Sequence, residues 1–159
     1  SELLHELLAM SAAAQAVVIA GKNEPLRRRL ETQTRGTVRP VRVVGFTERM
    51  YEWMRAADLV VTKPGGLTVA EALACGRPLV IVNPIPGQET RNSDYLLERG
   101  AAVKVNNPRL LGYRVSALLN DPRRLQALSD AARSIARPDA AREIAADALR
   151  LLTPASPPV

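Results

Sequence analysis

The chain has 159 residues, of which 47% are hydrophobic and only 3% aromatic, so one domain with an aliphatic core is expected. Its formal net charge of +6 permits phosphorylated ligands, an anionic membrane surface or nucleic acid as partners. Basic and aromatic residues are not interleaved as in RNA-binding modules, so we expect no nucleic acid partner. No apolar run approaches the roughly twenty residues that span a bilayer, and the single cysteine excludes an internal disulfide and favours a reducing, cytoplasmic compartment.

Helical and strand patterns alternate along the chain, and the strands are short apolar runs of the kind that is buried on both faces. The predicted elements in chain order are a helix at 2–13, a strand at 16–20, a helix at 24–35, a strand at 41–44, a helix at 47–57, a strand at 58–62, a helix at 67–75, a strand at 78–82, a helix at 90–99, a strand at 102–105, and helices at 108–119, 122–136 and 139–152. This alternation predicts an α/β fold, a Rossmann-like parallel sheet with helices on both faces. Residues 1–152 form the predicted domain, and the proline-rich tail 153–159 is predicted to be disordered.

The unusual loops all follow predicted strands, and the carboxyl ends of parallel strands are where such sheets bind ligands. These loops lie at 21–23, 45–47, 63–66 and 83–92. The loop at 63–66 is a glycine turn between a strand and a helix, a geometry that directs backbone N–H groups and a helix dipole at a phosphate. We expect Gly65 and Gly66 to supply positive φ angles and close backbone approach.

Two polar residues share the first helical turns after this glycine turn. Thr68 and Glu71 are three residues apart, so Thr68 can contact a phosphate while Glu71 accepts two hydrogen bonds from the hydroxyls of a ribose. The same spacing also fits a capping box, in which both side chains bind the helix's own N–H groups. Both interpretations remain open from the spacing alone.

The next loop carries Gln88, Glu89 and Asn92, whose donors and acceptors suit the hydroxyls of a sugar. The alternative is that Gln88 and Glu89 simply begin a solvated helix. Phe46 could stack on a flat base, or it could belong to the core, as a lone aromatic residue after a strand often does. The helix at 47–57 has Thr47 as a possible N-cap.

Several other residues are expected to have no part in ligand binding or catalysis. His5, the only histidine, is expected on the surface, and Cys75 is expected to be a small buried residue. The basic run 27–29 fits a solvated helix face. No metal-ligand spacing and no nucleophile–base pair is recognisable in the sequence, so no metal site and no catalytic residue is predicted for this chain.

The segments 43–50, 57–73, 86–92 and 99–102 together resemble the C-terminal, donor-binding domain of GT-B glycosyltransferases. Within that fold they are most similar to monogalactosyldiacylglycerol synthases and processive diacylglycerol glucosyltransferases. They are more distantly similar to the N-acetylglucosaminyltransferase that makes the lipid-linked peptidoglycan precursor. The similarity runs from about residue 16 to residue 105, and its most specific part is Pro-Gly-Gln-Glu-x-x-Asn at 86–92.

The resemblance implies inverting transfer of a hexose from a UDP-sugar to a lipid acceptor such as diacylglycerol, without a cofactor, by an enzyme peripheral on the membrane. The implied contacts are Phe46 and Thr47 for uracil, Gly65, Gly66, Leu67 and Thr68 for the diphosphate, Glu71 for ribose, and Gln88, Glu89 and Asn92 for the sugar. Metal is dispensable because the helix dipole and N–H groups can stabilise the leaving UDP.

Two departures from the family pattern lead to further expectations. Such enzymes have an N-terminal domain that binds the lipid and supplies the catalytic base, so this chain alone should bind donor but scarcely turn over. Their C-terminal domain also opens with a central strand that this chain lacks, which predicts either a gap or direct pairing of the strands at 16–20 and 58–62. The alternatives are a nucleotide-sugar-binding subunit of a split glycosyltransferase and a UDP-sugar 2-epimerase.

Overall fold

A computed structural model describes residues 2–152 of the chain. The strands are β1 (Ala16–Ile19), β2 (Val41–Val44), β3 (Val60–Thr62), β4 (Leu79–Val82) and β5 (Ala102–Val105). The helices are α1 (Glu2–Leu8), α2 (Glu24–Thr34), α3 (Met50–Ala56), α4 (Gly66–Ala74), α5 (Thr90–Glu98), α6 (Leu111–Leu119), α7 (Pro122–Ile135) and α8 (Ala140–Leu152), and a 3₁₀ turn at Pro108–Leu110 precedes α6. The predicted α/β fold with parallel strands is confirmed. The prediction for 153–159 lies outside the described residues.

The strands form two parallel sheets. One contains β1 and β2, and the other has the order β3-β4-β5. Within residues 2–152 no ladder joins β1 to β3. The predicted sheet without its central strand therefore has a gap between β1 and β3, and these two strands do not pair directly.

β4 is the centre of the core because both of its faces are covered. Leu79 and Ile81 pack into one hydrophobic cluster with residues of α3, α4, α5 and α7. Val80 and Val82 point the other way, into a second cluster built from α6, α7 and β5. All four residues are at most 3% exposed. Alternate side chains of a strand face opposite sides of a sheet, so this burial confirms helices on both faces.

α1 ends at Leu8, five residues before the predicted boundary. The following segment, 9–15, leaves the helix because other groups bind its backbone. The buried hydroxyl of Ser116 accepts hydrogen bonds from the N–H groups of Ser11 and Ala12, at 3.1 and 3.3 Å. The Arg39 guanidinium donates to carbonyl oxygens of the same segment. Since Arg39 lies just before β2 and Ser116 lies in α6, the segment connects the two sheets.

Gly112 permits the close approach of α1 to α6. A Cβ atom at this position would overlap the carbonyl oxygen of Glu6. The sequence contains no pattern that marks this contact, because it joins residues far apart in the chain.

The predicted start of α3 is wrong. The helix begins at Met50 with Arg49 as its N-cap, and Thr47 lies outside it. The Thr47 hydroxyl instead accepts a hydrogen bond from the N–H of Arg49 at 3.1 Å, which forms a local turn. Other helix boundaries differ from the prediction by one or two residues, apart from the 3₁₀ turn before α6.

Among residues 2–152, no helix is long and apolar enough to cross a bilayer.

Ser116→Ala is expected to lower the free energy of unfolding by about 1–3 kcal/mol, because it removes the acceptor of two N–H groups, of which that of Ala12 is buried. Ser134→Ala is the matched control, since the Ser134 hydroxyl is exposed and bonds only to its own helix. Thermal and urea unfolding of the two variants measure the difference. Equal stabilities would contradict the role given to Ser116.

Candidate functional site

The glycine turn between β3 and α4 ends in an open helix N-terminus. Gly65 is the N-cap residue, and the first bond of the helix runs from the Val69 N–H to the Gly65 carbonyl oxygen at 2.9 Å. The N–H groups of Gly66, Leu67 and Thr68 have no acceptor among residues 2–152. Three free N–H groups and the positive end of the helix dipole therefore point at one place.

Neither glycine has the positive φ angle that the sequence predicted. Gly65 has φ −66° and ψ 141°, and Gly66 is the first residue of the helix. What glycine provides here is space. A Cβ atom on Gly66 would meet nothing within 4 Å, whereas one on Gly65 would lie 3.6 Å from a carboxylate oxygen of Glu89. The turn is thus open at Gly66, whereas Gly65 faces Glu89 at van der Waals distance.

The loop after β4 holds the glycine turn in place. The Asn92 amide nitrogen donates to the carbonyl oxygen of Pro64 at 2.9 Å. Glu89 is 9% exposed, and its Oε2 accepts from the Ile85 N–H at 2.8 Å. These bonds fix Glu89 and Asn92 beside the glycine turn. Glu89 Oε1 accepts no hydrogen bond among the described residues, so it remains able to bind a ligand hydroxyl.

The burial of Glu89 contradicts the solvated-helix interpretation for that residue. α5 begins at Thr90, and Glu89 is its N-cap residue with a side chain turned toward the glycine turn. Gln88, in contrast, is exposed, so solvent surrounds its side chain.

The capping-box interpretation of Thr68 and Glu71 is wrong. α4 begins two residues before Thr68, and no side chain caps it. Within the described part of the chain, neither the Thr68 hydroxyl nor the Glu71 carboxylate has a hydrogen-bond partner. Glu71 is exposed, and Leu67 is 84% exposed. Both polar groups are consequently available along the helix surface that begins at the open N-terminus.

Phe46 and Thr47 lie at the end of the smaller sheet. β1 and β2 pair with Ile19 opposite Val44, so the loops that follow these strands meet at one edge. Phe46 is 59% exposed, which excludes the interpretation that it belongs to the core and leaves its ring accessible. The Lys22 ammonium lies 5.0 Å from the centroid of the Phe46 ring.

The structure brings Gly65, Glu89 and Asn92 together directly, while Phe46 and Thr47 belong to the other sheet. The sequence placed the loop at 21–23 at the ligand-binding edge but gave no function for Lys22. It also missed that a backbone carbonyl, that of Pro64, anchors Asn92. The predicted parallel strands could have indicated that Lys22 and Phe46 lie close together. No residue type indicates the bond between Asn92 and the Pro64 carbonyl.

Two cations adjoin the glycine turn in the sequence, in addition to the carboxylates of Glu71 and Glu89. Lys63 precedes Pro64, Arg91 precedes Asn92, and both side chains are exposed. Neither forms an ion pair with any residue in 2–152. Unpaired cations near free N–H groups favour an anionic ligand. Across the same residues, no group of three His, Cys, Asp or Glu side chains could hold a metal ion. His5 is exposed, as predicted.

Comparison with known families gives a direct assignment. The family model described as "Glycosyl transferases group 1" matches residues 2–135. The match covers most of the chain, and the chain therefore belongs to this glycosyltransferase family.

Processive diacylglycerol β-glucosyltransferases are similar over much of the chain. The protein from Staphylococcus saprophyticus is 36% identical over 155 residues, which cover 98% of this chain and 39% of that protein. The protein from Bacillus licheniformis is 38% identical over 132 residues, covering 83% of this chain and 34% of the relative. The chain thus spans less than half the length of these curated relatives.

Solved structures agree on the fold. MurG of Acinetobacter baumannii superposes with a TM-score of 0.62 at 22% identity, over 89% of this chain and 51% of MurG. The glycosyltransferase VinC, solved in complex with dTDP, gives 0.59 at 18% identity over 90% of this chain and 44% of VinC. The predicted GT-B type of fold is confirmed.

If a nucleoside diphosphate such as UDP binds at this turn, Gly66→Ala is expected to weaken its binding about tenfold or more, because the new methyl group occupies open space at the first residue of the helix. Stability should stay level or rise by up to about 1 kcal/mol, since alanine favours a helix more than glycine does. Calorimetric titration with UDP and thermal unfolding measure the two effects.

Ala70→Ser, one turn further along α4 at an exposed position, adds one heavy atom and is the control. Unchanged affinity in Gly66→Ala would show that the glycine turn does not contact the ligand.

Proposed function

We propose that this chain is the donor-binding part of an inverting hexosyltransferase, which transfers a hexose from a UDP-sugar to a lipid acceptor, diacylglycerol. Family membership and the printed activity of the 36–38% identical relatives support this proposal. The observation that carries it is the open N-terminus of α4, whose preceding turn is hydrogen-bonded to Asn92 of the next loop, with the buried Glu89 beside it.

The diphosphate of the donor binds at Gly65, Gly66, Leu67 and Thr68. The free N–H groups of the first helical turn donate to phosphate oxygens, and the helix dipole favours their negative charge. Negative charge grows on the diphosphate as the bond to the sugar breaks. Donors that already point at this position stabilise that charge without reorganising, so the site itself can favour departure of UDP and no metal or other cofactor is required.

The remaining contacts follow the order of groups in a UDP-sugar. Glu71 accepts hydrogen bonds from the ribose hydroxyls one helical turn away from Thr68. Glu89 Oε1 and the free carbonyl oxygen of Asn92 accept from sugar hydroxyls, and the exposed Gln88 adds both a donor and an acceptor. Phe46 and Thr47 hold the uracil. A site built to bind hydroxyl groups discriminates strongly against sugars that lack them.

Catalysis requires groups that we assign to other parts of the protein. An N-terminal domain supplies the catalytic base and the binding site for diacylglycerol, as the family pattern implies. The enzyme works at the cytoplasmic membrane surface as a peripheral protein, and the net charge of +6 suits anionic lipids. In isolation the chain binds UDP-sugar but catalyses hexose transfer only very slowly.

Glu71→Ala is expected to raise the Kd for UDP about 10- to 100-fold, because two hydrogen bonds from the ribose to a carboxylate are lost. Stability should change by no more than about 0.5 kcal/mol, since Glu71 is exposed and does not cap α4. Calorimetric titration and thermal unfolding measure both quantities.

Glu98→Ala, at the far end of α5, removes an exposed carboxylate of the same kind and is the control. Loss of stability in Glu71→Ala at unchanged UDP affinity would contradict the proposed ribose contact.

A further inference from the structure

The loop after β1 presents one charged side chain next to the exposed ring of Phe46. A hydrogen bond of 2.8 Å from the Ala20 N–H to the Val44 carbonyl oxygen extends the β1–β2 ladder to this edge. The Lys22 ammonium lies 5.0 Å from the Phe46 ring centroid, within the range of a cation–π contact. Lys22 is exposed, and the ring is 59% exposed, so solvent reaches both.

The backbone on both sides of Lys22 is fixed by structure. Gly21 has φ +60°, a conformation that favours glycine, and makes the turn out of β1. Asn23 caps α2, because its side-chain oxygen accepts from the Leu26 N–H at 3.0 Å. The loop therefore holds Lys22 at a defined position, and Lys22 is its one side chain without a hydrogen-bonding role in the described structure.

No carboxylate among residues 2–152 neutralises Lys22. The acid nearest in sequence, Glu24, accepts from Arg27 at 2.7 Å and from Arg28 at 3.2 Å. Hydrogen bonds to these two arginines lower the pKa of Glu24 to about 2, and the same bonds engage its carboxylate with Arg27 and Arg28. The three N–H donors of Lys22 are free for a ligand.

A cation–π contact at an exposed site is weak, so the Lys22 ammonium can exchange it for a stronger anionic partner. A flat apolar ring beside a free cation matches a ligand that joins a flat base to an anionic group. A nucleoside diphosphate has both features. The loops at 21–23 and 45–47 lie at the carboxyl ends of parallel strands, where such ligands bind.

We propose that Lys22 is a donor-binding residue, whose ammonium binds the diphosphate of the nucleotide that stacks its base on Phe46. This inference rests on the proposed function, since it assigns one more contact to the same ligand. The contact is a charge-assisted hydrogen bond between a lysine and a phosphate oxygen. The diphosphate is then bound by Lys22 of the smaller sheet as well as by the glycine turn of the larger sheet.

The test compares UDP with uridine, which has the same base and ribose but no phosphate. In the intact protein, Lys22→Met is expected to raise the Kd for UDP about five- to tenfold and to leave the Kd for uridine within about twofold. It should also reduce the dependence of UDP affinity on salt, because screening acts on exposed charges. Lys22→Arg keeps the charge and should retain most of the affinity.

Arg35→Met is the matched control, because it removes one exposed positive charge at the opposite end of α2. If Lys22→Met and Arg35→Met bind UDP equally well, the inference is overturned and the proposed function stands. An equal loss for UDP and uridine would also overturn it, since Lys22 would then act only through Phe46. If the unsubstituted protein binds no UDP, the proposed function fails and the inference fails with it.

Discussion

The candidate site depends on the bonds that hold the glycine turn open. Asn92 fixes the carbonyl of Pro64, and the buried Glu89 fills the space beside Gly65. The Asn92 bond ties the residue that precedes the N-cap of α4 to the next loop, next to the free N–H groups of the helix. A helix N-terminus is common in proteins, but this one follows a turn that is hydrogen-bonded to a side chain of the next loop, which is the kind of preorganisation that an anion site needs.

The fold supports this arrangement through β4. Its four buried residues pack on both faces, so the two loops that form the site, one after β3 and one after β4, leave a rigid pair of strands. The smaller sheet is joined less extensively, through the backbone segment that Arg39 and Ser116 bind. The proposed diphosphate contacts thus lie beside the buried core of the larger sheet, and the proposed base contact at Phe46 lies on the smaller sheet.

The sequence predicted the elements and the edge where the site lies, because apolar runs and glycine turns are local signals. It could not predict features that depend on tertiary contacts. The early end of α1 follows from Ser116, more than a hundred residues away. The orientation of Glu89 depends on the backbone N–H of Ile85, whose hydrogen bond it accepts. The spacing of Thr68 and Glu71 fitted both a ligand-binding pair and a capping box. Only the observed start of α4, two residues before Thr68, excludes the capping box.

The central claim is that the first turn of α4 binds the diphosphate of a UDP-sugar. Nuclear magnetic resonance of the ¹⁵N-labelled intact protein during titration with UDP tests it most directly. The account predicts saturable shifts of the Gly66, Leu67 and Thr68 amide resonances, with the amide of Gly36 at the far end of α2 unchanged. Saturable UDP binding that leaves these three amides unshifted would contradict the account.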